Sequence, residues 1–219
     1  MIRSVIRRMI RLMIRVCLGM GVLLTASMAS AQDFSADVIN AKDSGGIKKV
    51  YSTRDKVRYE VEGNNQAMGP VAAIVDETQS NWVVLLTGKH MYIDGWPPMM
   101  QKPIITQYWH VDDVNDACPH WKKLAEQAGT TKNWGSCTKI GSDTVGGRST
   151  VKYEGVSTKG DKSNIWVDTK LHCVIKMDGT TGGSIELTNI KEGAQPASLF
   201  AIPAGYTRFD MGAMMQRQR

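Results

Sequence analysis

The stretch PVAAIVDETQSNWVVLLTGKHMYIDG, residues 70–95, decides how the rest of the chain has to fold. It holds three short apolar runs, Val71 to Val75, Trp82 to Leu86 and His90 to Ile93, parted by turn formers at Asp76 to Asn81 and Thr87 to Lys89. Runs this short, so punctuated, predict an antiparallel three-stranded meander rather than a helix. In the middle run Trp82, Val84 and Leu86 fall on one face and Val83 and Leu85 on the other. A strand with one wet face alternates apolar and polar, so this one is covered on both sides. The expectation is that one face meets the packed core and the other meets a lid or an apolar cavity, as in a binding module.

Outward from the meander the same reading continues. Upstream, Phe34 to Ala41, Ile47 to Thr53 and Lys56 to Glu62 predict three strands, the last with Val57, Tyr59 and Val61 inward and Lys56, Arg58, Glu60 and Glu62 outward. Downstream, Trp96-Pro97-Pro98-Met99-Met100 interrupts the sheet because two prolines cannot donate to a ladder. That loop is apolar and rich in adaptable methionine, so it is either folded over the core or serves as a lid. Ile104 to Val111, with Trp109, resumes extended structure. Asp112 to Gly129 predicts one amphipathic helix, with Asp112, Asp113, Asn115 or Asp116 as N-caps and Gly129 as the stop. Its apolar side is Ala117, Trp121, Leu124, Ala125 and Ala128, which calls for a sheet face to lie on. Thr144-Val145, Ser149 to Val156, Asn164 to Asp168, Leu171 to Met177 and Ser184 to Ile190 read as further strands, and Leu199 to Tyr206 as a segment packed against the sheet. About ten strands and one helix make a mainly β chain, a curved antiparallel sheet or a barrel.

The first 31 residues carry Arg3, Arg7, Arg8, Arg11 and Arg15 and no acid, then the apolar run Cys17 to Ala29 and the triplet Ala29-Ser30-Ala31. This is the pattern of a secretory signal cut before Gln32, and the run is too short for a stable membrane span. The isoleucines and arginines at Ile2, Arg3, Ile6, Arg7, Ile10, Arg11, Ile14 and Arg15 also fit an organelle transit peptide, and a retained anchor is the other alternative. The apolar run and the cleavage triplet favour export.

Removing the signal moves the charge from 27 basic against 21 acidic residues to 22 against 21, a net of +1. A near-neutral surface offers nucleic acid no cationic footprint. The expected organisation is a signal over residues 1–31, one domain over 32–211 and a tail over 212–219.

Three cysteines remain after the signal. Cys118 and Cys137 flank a self-contained segment and are expected to pair in an oxidising compartment, while Cys173 sits in an apolar run as a small buried residue. The rival arrangement is a zinc site of Cys118, His120, Cys137 and Cys173, which lacks paired C-x-x-C spacing. No G-x-S-x-G, H-E-x-x-H or G-x-G-x-x-G occurs. The four histidines show no ligand spacing, and neither catalytic residues nor a cofactor or metal is predicted.

Several stretches in fixed order resemble a known superfamily: GGIKKVYSTRDKVRYEVEG from residue 45, VDETQSNWVVLLTGKHMYID from 75, GGRSTVKYEG from 146, IWVDTKLHCVIKM from 165 and SLFAIPAGYTRFDM from 198. The set is similar to the periplasmic lipoprotein-carrier (LolA/LolB-like) superfamily, and more closely to its outer-membrane lipoprotein-sorting-like branch of unknown function. The resemblance implies a periplasmic, unclosed half-barrel with one or more helices on its concave face. It also implies an apolar cavity for a lipid, an acyl chain or a lipidated protein. With the residue patterns above, the cavity or its lid is expected from Trp82, Val84, Leu86, Tyr92, Trp96, Met99, Met100, Trp109, Trp121 and Leu124. A structural or partner-docking envelope protein with a filled cavity is the alternative.

Overall fold

The computed structural model describes residues 33–40, 46–61, 69–78, 81–95, 110–127, 129, 131–180 and 183–209. One sheet of twelve strands dominates it. The first wing is β1 (Phe34–Asn40), β2 (Ile47–Ser52), β3 (Lys56–Val61), β4 (Val71–Asp76), β5 (Asn81–Leu86) and β6 (Met91–Asp94). The second wing is β7 (Trp134–Val145), β8 (Arg148–Ser157), β9 (Lys162–Asp168), β10 (Val174–Gly179) and β11 (Gly183–Glu192). A short β12 (Thr207–Arg208) and one α-helix, α1 (Ala117–Gln127), complete the set among the described residues.

Each wing is a simple antiparallel meander, and the two join where β1 pairs with β11. The spatial order runs β12-β6-β5-β4-β3-β2-β1-β11-β10-β9-β8-β7, so β12 and β7 are the two edges among the described residues and the sheet does not close. A mainly β, unclosed half-barrel with a packed helix is therefore the observed class, as expected. β12 alone pairs in parallel, along β6.

The register bears out the two-sided burial of the meander. Val71, Ala73 and Val75 on β4 stand opposite Leu86, Val84 and Trp82 on β5, and Val84 and Leu86 stand opposite Ile93 and Met91 on β6. Val71, Val84, Leu86 and Ile93 form one buried cluster, against which Met91 and Phe209 pack, while Trp82 packs on the larger core farther along. On the other face Ala72, Ile74 and Leu85 form a second cluster, covered by Phe200 and Tyr206. Those two aromatics belong to the segment Leu199 to Tyr206, and Arg58 donates to the Leu199 carbonyl at 3.0 Å. The chain's own C-terminal segment thus closes the second face of the meander, and Leu85 has no exposed surface.

The main core lies where the wings meet, around Phe34, Val50, Val57, Tyr59, Leu171 and Ile175. Each such side chain contributes about 1.5 to 3 kcal/mol by leaving water. A bulge between Val174 and Lys176 opposes two residues of β10 to one of β9, and it places both Val174 and Ile175 in buried clusters.

Two elements differ from expectation. The helix starts at Ala117 rather than near Asp112. Asp113 Oδ1 accepts from the Asn115 amide at 2.8 Å and closes a turn instead of capping a helix. Val111 and Val114 drop into the core. β7 spans twelve residues where the sequence shows a strand only at Thr144-Val145. It is an edge strand with mostly exposed side chains, so its periodicity carries no apolar signal.

A charged corner in the second wing ties the start of β8 and the end of β11 to the turn between β9 and β10. Asp168, which is buried, accepts from Arg148 and from the amides of Lys170 and Leu171, the two amides each at 2.8 Å. Arg148 also reaches Glu192 at 2.9 Å, and Lys170 pairs with the same carboxylate. Lys170 first and Arg148 next hold the Glu192 carboxyl below the usual carboxylate range. The indole of Trp166, donating at 2.8 Å, does the same for Asp143. A depressed carboxylate stabilises the fold fully above its unfolded-state pKa and ceases to do so as the pH falls through its folded value. The thermal midpoint is therefore expected to drop on acidification below about pH 4. Glu192→Gln should lower the midpoint at neutral pH and flatten part of that acid limb, as read by circular dichroism melts.

Candidate functional site

α1 crosses the second wing. Its buried side is Ala117, Trp121 and Ala125, with Leu124 half-buried, as the helical spacing predicts. Trp121 meets Tyr153 of β8 edge to face, with ring centroids 5.2 Å apart. The Tyr153 hydroxyl donates to the Val114 carbonyl at 2.7 Å and accepts from the Ala117 amide at 3.2 Å. This occupies one of the donors that every helix start leaves open. Burial pushes the Tyr153 hydroxyl above its ordinary pKa, so it remains a donor. The left-handed Gly129, with φ of +66°, follows the helix as its stop.

A disulfide between Cys118 and Cys137, with Cα atoms 5.7 Å apart, fastens the helix to β7. Cys173 is a buried free thiol, and desolvation raises its pKa well above the ordinary value, which keeps it protonated. With two sulfurs bonded and the third protonated and apart, the zinc alternative is not assembled. Among the described residues no group of three or more His, Cys, Asp or Glu is placed to hold a metal ion. Removing the disulfide by Cys118→Ser with Cys137→Ser should cost about 3 kcal/mol for a loop of 19 residues. Urea denaturation of the double variant beside the parent measures it.

Over the second wing, with Trp121 as its one contact from the helix, lies a cleft of about 440 Å³. Trp121 from the helix, Trp134 from β7, and Ile165, Met177 and Ile185 from β9, β10 and β11 make its apolar side. The last three stand in one row across the strands, since Ile165 pairs with Met177 and Met177 with Ile185. The turn between β8 and β9 supplies a polar rim of Ser157, Lys159 and Asp161. There the Ser157 hydroxyl donates to Asp161 at 3.2 Å and accepts from the amides of Lys159 and Asp161 at 3.1 Å each, so the rim is internally braced.

Of the residues expected to form a cavity or lid, Trp121 lines this cleft, and Leu124 packs in the helix cluster beside it. Trp82 joins the main core, Val84 and Leu86 a second cluster, and Tyr92 the opposite face beneath the C-terminal segment. These four lie on the first wing, apart from the cleft. Trp96, Met99, Met100 and Trp109 lie outside the described residues.

One polar arrangement has no counterpart in sequence spacing. His110 Nδ1 lies 2.6 Å from a Glu77 carboxylate oxygen, and its Nε2 lies 3.4 Å from the Ser52 hydroxyl. The three residues come from the β4–β5 turn, the approach to the helix and the end of β2. Serine, histidine and carboxylate in this order are the parts of an acyl-transfer triad. Ser52, however, has no exposed surface, and its hydroxyl donates to the Thr53 carbonyl at 3.3 Å. A substrate has to reach the oxygen, so the set acts as an anchor. It pins the segment entering the helix to the first wing, while the bridge between His110 and Cys173 holds it to the second.

An open antiparallel half-barrel with a helix laid over one wing is the architecture that the resemblance to the lipoprotein-carrier superfamily implies. No protein-family model matches the chain, and no curated protein matches it in sequence. Among solved structures it is similar to an uncharacterized conserved protein from Thermus thermophilus. The identity is 11%, with a TM-score of 0.48 over 82% of this chain and 90% of that one. It is also similar to PNGF-II at 10% identity and a TM-score of 0.47, covering 84% of this chain and 32% of that one. A third likeness is to MucB, at 13% identity and a TM-score of 0.41, covering 79% and 58%. This chain thus spans about a third of PNGF-II and somewhat over half of MucB. Among the described residues no helix is long and apolar enough to cross a membrane.

Proposed function

We propose that this protein is an exported, non-catalytic binding protein that shelters a lipid, an acyl chain or the lipid group of a lipidated protein in the cleft over its second wing. The observation that carries the reading is the cleft itself. A volume of about 440 Å³ falls within the range of small-molecule sites, and convergent Trp121, Trp134, Ile165, Met177 and Ile185 with polar groups at one rim match their usual composition. The helix that brings Trp121 to its wall is fastened by the Cys118–Cys137 disulfide and by both hydrogen bonds of Tyr153, which supports a preformed cleft. The signal-like first 31 residues support export to the periplasm, and a disulfide fits the oxidising conditions there.

Native mass spectrometry of protein purified without detergent should show a lipid adduct, and the stripped protein should take up an apolar fluorescent dye with a blue shift. Absence of both the adduct and dye uptake would overturn the reading in favour of a filled, partner-docking envelope protein.

A further inference from the structure

Resting on that binding reading, the layout of the cleft narrows the class of occupant. Side chains on one face of a strand recur every second residue, so successive rows across a sheet lie roughly 6.7 Å apart. The row holding Ile165, Met177 and Ile185 ends at Tyr153 on β8. The next row toward the β8–β9 turn is Gly155, Ser163, Gly179 and Gly183, each paired with the next and all lining the cleft. Beyond that row comes the polar turn with Ser157, Lys159 and Asp161. The free space over the glycine row is therefore a slot one row deep along the strands and four strands long. At about 4.8 Å between strands this is roughly 14 Å. One face of the slot is apolar, and the side toward the turn is polar.

Carbon atoms in contact sit about 4 Å apart, so a slot one row wide admits one hydrocarbon chain and not two side by side. The volume agrees, since about 440 Å³ lies in the lower half of the span of small-molecule sites, where a two-chain lipid does not fit. We infer that the cleft takes a single-chain amphiphile, a free fatty acid or a lysophospholipid. Its tail lies along the glycine row against Ile165, Met177 and Ile185, and its polar head sits at the Ser157–Asp161 rim. Two-chain lipids are excluded by shape rather than by polarity.

The test is displacement of the bound dye from the intact protein. Palmitate or lysophosphatidylcholine should displace it, whereas dipalmitoylphosphatidylcholine should do so at least tenfold more weakly. Gly155→Val should abolish displacement by palmitate while leaving the melt cooperative. Valine suits a strand, and a Cβ at this position meets only the Ser163 hydroxyl, at 3.0 Å, a group that can rotate away. Gly155→Ala provides a graded second variant, expected to weaken palmitate by an intermediate factor, and it serves if the valine protein fails to fold. Equal displacement by the two-chain lipid, or unchanged palmitate binding in a folded Gly155 variant, would overturn this inference and leave the binding reading standing. No dye uptake by the parent protein, together with no lipid adduct, would overturn the binding reading itself.

Discussion

Asp168→Ala is expected to lower the unfolding free energy by about 3 to 5 kcal/mol, the cost of removing one partner from a buried ion pair. Asp168 is 1% exposed and does three tasks at once. It takes the Arg148 guanidinium, and the same Oδ1 that receives the Lys170 and Leu171 amides closes the turn from β9 into β10. The Asp168 amide also donates to the Cys173 carbonyl, and the His172 amide to the Asp168 carbonyl, so the turn is braced by backbone as well. Without the carboxylate, the buried Leu171 amide and the part-buried Lys170 amide lose their acceptor, and Arg148 keeps only Glu192. Asp168→Asn retains an oxygen for the amides but not the charge, and it should recover part of the loss. Urea denaturation that shifts the midpoint with an unchanged slope confirms the account. A loss below about 1 kcal/mol in the alanine variant would mean that the corner is held by the backbone alone.

Trp121→Ala comes next in size, at about 3 to 5 kcal/mol for a large buried aromatic. Trp121 is 1% exposed, meets Tyr153 edge to face and touches the wall of the cleft. Its removal leaves a void beside the cleft, so the cost is lost transfer energy plus cavity. Because it stands against the ligand space, two readouts separate: stability falls, and dye affinity falls further than the stability loss explains. Trp121→Phe should keep most of the stability. A variant that loses stability but binds the dye unchanged would place the occupant elsewhere than beside Trp121.

How much of this could be read from the residues differs element by element. The β4 to β6 meander was legible because both parities of Trp82 to Leu86 are apolar, and burial on both sides follows from that alone. What covers the second face was not. Phe200 and Tyr206 are more than a hundred residues away, and no local pattern says that they return to Ala72, Ile74 and Leu85. The helix was legible from its spacing but not its start, because Asp113 serves a turn as readily as a cap and only the pull of Val114 into the core decides between them. β7 was illegible along most of its length, since an edge strand with exposed side chains shows no period.

The cleft was legible only in part. Trp121 stands on the predicted helix face, but its companions Ile165, Met177 and Ile185 read simply as strand residues, and the row that opens the slot consists of glycines and a serine, which add nothing to an apolar period. Likewise Ser52, Glu77 and His110 meet across 58 and 33 positions, a distance that spacing rules cannot bridge.

The amino-acid sequence by itself determined that this is a mainly β chain with one amphipathic helix, a doubly buried meander and a Cys118–Cys137 pair. Those properties depend on side-chain period, turn chemistry and composition, all of which are local. Tertiary structure alone decided that the helix lies on the second wing and that the C-terminal segment closes the first. It also decided that a hollow remains where Gly155, Ser163, Gly179 and Gly183 fall into register. Packing is a contest among all apolar faces for the same partners, and its outcome depends on which strands become neighbours, which no single stretch of the chain specifies.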